Sequence, residues 1–138
     1  MDLCKCLVVD DDELSREMIV HYLDGYAVCE TASNGREALE KAQASHDKGD
    51  PFRLIILDII MPEMDGHEAG KAIRTLEKNL GITLSNQVKI IVLSSVNTPQ
   101  EIMQAFMTIN PAAQLVKPVE PGKFRETLAK IGVRKATR

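Results

Sequence analysis

No apolar run in this chain approaches the roughly 18 residues that a membrane-crossing helix needs. The N-terminus, MDLCKCLVVDDDE, has no basic region followed by a long apolar stretch, so a signal peptide is not expected. Tryptophan is absent, and Gly and Pro number only 8 and 6. With 44% hydrophobic and 27% charged residues, the make-up is that of a soluble globular protein. Positive charge is not in excess: 17 Lys and Arg face 20 Asp and Glu, for a net charge of -3. That balance argues against a sequence-independent grip on nucleic acid. Only Arg134, Lys135 and Arg138 are locally basic, and residues 132–138 are expected to form a frayed, solvated tail. The 3 cysteines are odd in number and contain no C-x-x-C spacing. Cys4 and Cys6, two apart, share one face of a strand. With Cys29 they read as buried thiols in a reducing, cytoplasmic compartment.

What is present is an alternation of short apolar segments and longer amphipathic ones, over the 138 residues of one ordinary domain with its core at about 3–131. There is no internal repeat, low-complexity segment or linker. Residues 3–10 read as a strand. Residues 13–24 read as a helix carrying Leu14, Met18 and Tyr22, with Ile19 and Leu23 beside them, closed by Gly25. A second strand is expected over 27–32, then a turn and cap at Ser33-Asn34-Gly35 before a helix with Ala38, Leu39 and Ala42 inward. The third strand is expected over 52–57, and a helix starting at Asp65 or Gly66 carries Ala69, Ala72, Ile73, Leu76 and Leu80 in one stripe. Residues 81–86 read as a loop and 88–93 as the fourth strand. Thr98 reads as an N-cap with Pro99 at the first helical position. The helix it opens presents Ile102, Phe106 and Ile109. A short fifth strand over 114–116 precedes a helix opened by Pro121, with Phe124, Leu128 and Ile131 inward. Near-continuous Val/Ile/Leu strands alternating with helices imply a doubly wound α/β domain: a five-stranded parallel sheet with helices on both faces.

In such a sheet ligands bind outside the carboxyl ends of the strands. The first strand ends in Asp10-Asp11-Asp12, the third in Asp58, the fourth in Ser94-Ser95 and the fifth in Lys117-Pro118. Several acids, a hydroxyl and an ammonium therefore converge on one edge. Clustered carboxylates repel one another unless a cation sits among them. Oxygen donors without His or Cys suit a hard ion, and Mg²⁺ in particular. A carboxylate beside such an ion can attack a phosphoryl group, with Lys117 and Ser94 contacting the phosphoryl oxygens. Asp58, set among Leu54-Ile55-Ile56-Leu57 and Ile59-Ile60-Met61, is expected to be exposed at the strand end and held still by the strand before it. His21, His46 and His67 share no metal-ligand spacing.

The motifs VVDDD at 8–12, LDIIMPEMDG at 57–66, LSS at 93–95 and LVKP at 115–118 together resemble a response-regulator receiver domain of two-component signalling, similar to the single-domain chemotaxis regulators. The match runs from Leu7 to about Ile131. The resemblance implies a flavodoxin-like strand order of 2-1-3-4-5. It implies Asp58 as the phosphoacceptor, Asp10 and Asp11 as the acidic pair for Mg²⁺, and the backbone carbonyl of Ile60 as the third protein ligand. Ser94 matches the switch hydroxyl and Lys117 the invariant lysine, with a cis Lys117-Pro118 bond. Asp12, one place further, reads as a helix N-cap. The implied donor is a sensor histidine kinase or phosphotransfer protein. The signal would leave through a face built from the fourth helix, fifth strand and fifth helix, to a protein partner or a homodimer, without direct contact to nucleic acid or membrane. Such a domain is not an enzyme beyond its own phosphotransfer and slow self-dephosphorylation. The bulk of Ile60 and Val96 beside the site is the reason to expect that slowness.

One position departs from the family. Its switch aromatic lies three residues before the lysine, and Gln114 stands there. The usual swing of a ring into an apolar slot is therefore in doubt, although Gln114 takes no part in the chemistry. Two other readings stay open: a pseudo-receiver that binds without phosphotransfer, and a haloacid-dehalogenase-type phosphatase. The second is disfavoured by Glu13-Leu14 after the acids and by the lack of sequence for a cap domain. The chain is either free-standing or a piece of a hybrid kinase.

Overall fold

The computed structural model describes residues 3–61, 64–95 and 98–136. Strands and helices alternate as β1 (Cys4–Val9), α1 (Glu13–Tyr22), β2 (Ala27–Ala32), α2 (Gly35–Asp47), β3 (Leu54–Asp58), α3 (Gly66–Asn79), β4 (Lys89–Ser94), α4 (Pro99–Ile109), β5 (Ala113–Val116) and α5 (Pro121–Lys130). All the strand pairings are parallel, and the sheet order is β2-β1-β3-β4-β5. The flavodoxin-like, doubly wound expectation is met.

Two apolar layers flank the sheet. Leu7, Val9, Ile55, Leu57, Ile90 and Val92 face α2, α3 and α4 through Ala38, Ala42, Ala69, Ile73, Ala105 and Ile109. Cys6, Val8, Leu54, Ile56, Ile91 and Leu93 face α1 and α5 through Ile19, Leu23, Phe124 and Leu128. Because successive side chains of a strand point to opposite faces, covering both faces demands an unbroken apolar strand, as β3 and β4 show. Helix starts are set by side-chain caps: Asp12, Asn34, Asp65 and Thr98 each accept from a backbone N–H three residues on.

Several expectations shift. β3 and β4 each run one residue beyond the expected end, which carries Asp58 and Ser94 into the ladder itself. The loop after α3 contains a 3-10 turn, Leu84–Asn86. Leu14 and Met18 are exposed, since α1 packs through Ile19 and Leu23. Leu80 is exposed at the C-cap of α3. On α4, Ile102 and Phe106 do not point inward; Ala105 and Ile109 do. The tail is docked over its described part rather than frayed. Gly132 adopts φ 88°, open to glycine at no steric cost. The chain then folds back, with Val133 N–H donating to the Leu128 carbonyl (2.8 Å) and Ala136 N–H to that of Gly25 (2.7 Å).

Candidate functional site

Parallel pairing sets every strand's carboxyl end on one edge, so the chain segments after β1, β3, β4 and β5 meet there. Asp10 follows β1 and extends its ladder, its N–H donating to the Ala32 carbonyl at 3.1 Å. Its side chain is held in turn by Asp12 N–H, which donates to Oδ1 at 3.0 Å. Arg16 Nη1 donates to the Asp10 carbonyl at 2.8 Å. Asp12 caps α1, accepting from Ser15 N–H at 3.1 Å and from its hydroxyl at 2.7 Å. Those hydrogen bonds hold the Asp12 carboxyl below its ordinary value. Across the edge, Lys117 follows β5, its N–H donating to the Ser94 carbonyl at 2.9 Å. The Lys117-Pro118 bond is cis.

Asp58 closes β3 in the middle of the sheet. The chain returns over it through a tight turn in which Gly66 N–H donates to the Ile59 carbonyl at 2.8 Å. A Cβ on Gly66 would lie 2.3 Å from the Asp58 carbonyl oxygen, so only glycine permits this approach. Contrary to expectation, Asp58 is not exposed but 3% accessible. Gly66 packs against its backbone and Lys117 Nζ lies 3.3 Å from its Oδ2.

The electrostatics follow from that burial. Lys117 Nζ lies 2.9 Å from Asp10 Oδ2 and 3.3 Å from Asp58 Oδ2. Carboxylate oxygens of Asp10, Asp11 and Asp58 all fall within 4.8 Å of one another. Burial pushes the Asp58 carboxyl up to about 6, and the charge of Asp10 adds to it, against the pull of Lys117 and a hydrogen bond from Ile60 N–H. For Lys117 burial works against the charge, but hydrogen bonding and attraction from Asp10 and Asp58 outweigh it and hold the ammonium above its ordinary value. Three carboxylates against one ammonium leave two negative charges uncompensated. An all-oxygen donor set with that excess suits a small divalent hard cation such as Mg²⁺.

Asp10, Asp11, Asp58 and Lys117 are thus brought together. Ser94 is buried one residue beyond Leu93, the register partner of Asp58. Ile60 stands beside Asp58, its N–H 3.4 Å from Oδ1, with its side chain turned out to solvent. Val96 lies outside the described residues. Gln114 is a register neighbour of Val92, and its Nε2 donates to the Ile102 carbonyl of α4 at 3.2 Å. The reading of the sequence missed Arg16 as a support of Asp10. Its only signal is a cation four residues after a helix cap, which is common on solvated helices.

A family model, the response regulator receiver domain, matches residues 6–129. The chemotaxis protein CheY of Thermotoga maritima is 34% identical over 131 residues, covering 92% of this chain and 96% of the relative. Among solved structures, the chemotaxis response regulator CheY4 of Vibrio cholerae superposes with a TM-score of 0.78 at 33% identity, covering 94% of this chain and 99% of that one. The receiver domain of the histidine kinase CKI1 from Arabidopsis thaliana, complexed with Mg²⁺ and BeF₃⁻, gives a TM-score of 0.74 at 30% identity, over 91% of this chain and 90% of that one. The match spans 12% of that kinase's full length. The acidic cluster at the carboxyl edge, the 2-1-3-4-5 sheet and these likenesses agree: the chain belongs to the response-regulator receiver domain family of two-component signalling.

Proposed function

We propose that this chain is a phosphorylation-switched signalling domain in which Asp58 accepts a phosphoryl group from a phosphohistidine on a sensor kinase or phosphotransfer protein. The observation that carries the reading is the Lys117 ammonium lying between Asp10 and Asp58, with Asp11 completing a set of close carboxylate oxygens. An oxygen of Asp58 attacks phosphorus, the bond from phosphorus to the donor imidazole nitrogen breaks, and the imidazole leaves with the electron pair. Asp58 becomes an acyl phosphate. Asp10, Asp11 and Asp58, with the backbone carbonyl of Ile60, would hold Mg²⁺, which when bound offsets charge on the phosphoryl oxygens. Lys117 supplies a second positive charge at the same oxygens and Ser94 a hydroxyl donor. Asp12, Ser15 and Arg16 keep Asp10 in place. The turn through Gly66 holds Asp58.

The added phosphoryl brings about -1.5 to -2 charges. Ser94 and Lys117 draw toward it, and the face made of α4, β5 and α5 repacks to alter the affinity of a protein partner or of a second copy. Ile102, Met103, Phe106, Met107 and Val116 are the exposed apolar residues of α4 and β5 that such a partner would cover. A single domain acting in the cytoplasm fits this role. The solved CKI1 receiver complex with Mg²⁺ and BeF₃⁻ supports the pocket's use, and no helix among the described residues is long and apolar enough to cross a membrane.

The test is to incubate the chain with Mg²⁺ and acetyl phosphate, or with beryllofluoride, and to follow intact mass and amide spectra. A labile single adduct that vanishes in Asp58→Asn is the expected result. Turnover of many phosphoesters would instead establish a phosphatase, and no adduct with either reagent would establish a pseudo-receiver.

A further inference from the structure

The opposite edge of the sheet carries a feature that phosphotransfer does not use. The amino-terminal ends of β1, β3 and β4 open onto a cleft of about 420 Å³, lined by Cys4, Tyr26, Phe52, Arg53, the 85–89 segment and 132–134. β4 separates it from Ser94 by five residue steps, about 17 Å at the rise of a parallel strand. We propose that this cleft is a second ligand site, for a nucleotide-like molecule: a small phosphate ester or anhydride carrying a flat, largely apolar body. It stands independently of the role assigned to Asp58.

Charge is the first reason. Arg53, Lys89 and Arg134 all line the cleft and no carboxylate does, on a chain whose net charge is -3. Arg53 and Arg134 make no ion pair among the described residues. Lys89 Nζ is anchored to the Ile131 carbonyl, a contact that leaves its charge uncompensated. The acids close to this edge are already engaged: Glu77, which accepts from Val88 N–H at 2.6 Å, pairs with Arg74 at 2.7 Å, and Lys5 Nζ lies 3.6 Å from Glu30 and 3.7 Å from Asp50. Like charges left together without a counter-ion repel, and an anion between them relieves the repulsion.

Construction is the second reason. Arg53 and Lys89 are held by backbone pairing at the roots of their strands: Arg53 N–H donates to the Lys5 carbonyl at 2.9 Å and Lys89 N–H to that of Arg53 at 3.2 Å. The third cation is delivered by the docked tail, whose turn at Gly132 sets Val133 and Arg134 as one wall. The rest of the lining is apolar at the half-buried Tyr26 and Cys4, with Phe52 and Val88 buried beneath, and polar at Ser85, Asn86 and Gln87. The volume falls in the range of small-molecule sites, roughly 300–1,000 Å³, which pair an apolar lining with a few fixed polar groups.

The experiment uses the whole chain in EDTA, so that no divalent cation bridges a phosphate to the acids of the other edge. Pyrophosphate and ADP are titrated separately while backbone amide shifts are recorded. Saturable shifts at Tyr26, Arg53, 85–89 and 132–134, with Kd for ADP below about 1 mM, are expected. ADP should bind at least about threefold tighter than pyrophosphate, because only ADP covers the apolar wall. Binding should be unchanged in Asp58→Asn and about tenfold weaker in the Arg53→Gln, Arg134→Gln double variant, whose two side chains make no hydrogen bond or ion pair among the described residues. Shifts that stay linear with concentration, that map to Asp10 and Asp58, or that survive the double variant would overturn the site. Equal affinity for the two probes would overturn its assignment to a nucleotide-like ligand.

Discussion

At the scale of single residues, Asp58 is a group placed under strain by its surroundings. Its folded-state value of about 6 lies above the ordinary 3.8, so the native chain binds more protons than the unfolded one between those limits. The stability this group contributes is complete below about pH 4 and falls as pH rises through 6, a loss of up to about 3 kcal/mol. Asp58→Asn removes the charge and the penalty together. In EDTA the variant should gain on the wild type by about 1.4 kcal/mol between pH 5 and pH 7.5 in urea unfolding. A stability difference that does not change with pH would contradict the placement of the carboxylate. Saturating Mg²⁺ at pH 7.5 should raise the wild-type melting temperature and leave Asp58→Asn much less affected, since only the native state gathers the three acids. Ile60 gives a kinetic prediction at the same site. Replacing it by Asn should shorten the lifetime of the phosphorylated state several-fold, because an amide would order an attacking water where an apolar side chain now stands.

At the scale of elements, α4 is the helix with the most apolar surface in contact with solvent: Phe106 is 60% and Met107 76% accessible. Its sequence carries five large apolar residues, and a helical stripe for one core face needs fewer. The pattern alone cannot say which of them the core takes. The sheet takes Ala105 and Ile109 because α3 already fills the adjoining space, with Gly70 so close to Ile109 that a Cβ would lie 2.6 Å from its Cγ1. Strands were far more legible than this, since β1 over 6–9, β3 over 54–57 and β4 over 90–93 are covered on both faces and therefore spell themselves as apolar runs. The acids and Lys117 were legible because they follow those runs directly. What could not be read is Glu77, buried in α3 and indistinguishable in sequence from its solvated neighbours. Its carboxylate accepts from Val88 N–H at 2.6 Å and from Arg74 Nη1 at 2.7 Å. Arg74 also donates to the carbonyls of Ile109 at 2.7 Å, Val88 at 2.9 Å and Asn110 at 3.3 Å. Arg74→Ala should cost about 3 kcal/mol, because it leaves a buried carboxylate without its cation and strips the last carbonyls of α4. Adding Glu77→Gln to that variant should recover part of the loss, and a loss below about 0.5 kcal/mol for Arg74→Ala would mean the cluster is merely solvated.

At the scale of the whole molecule, parallel strands give the sheet two unlike ends, one gathering acids and the other gathering cations. The docked tail belongs to the second end. Removing 132–138 exposes the partly buried Val133 contact and the Leu128 and Gly25 carbonyls. The truncated chain should keep its fold, melt several degrees lower, and lose hydrogen-exchange protection at the end of α5 first. An unchanged melting temperature would show that the tail adds nothing to stability. The ties on α4 differ in kind at its two ends. Its final turn accepts two hydrogen bonds from one guanidinium, at the Ile109 and Asn110 carbonyls, whereas its first turn is linked through His67 Nε2 and Glu101 at 2.7 Å and through Gln114 Nε2, which donates to the Ile102 carbonyl at 3.2 Å. With Ile109 fully buried against Gly70, a pivot of α4 would sit at its packed end: with a lever of about 16 Å, a rotation of 10° would carry its first residue roughly 3 Å. That end is capped by Thr98, four residues beyond Ser94, so it is the end of the helix that follows the site in the chain.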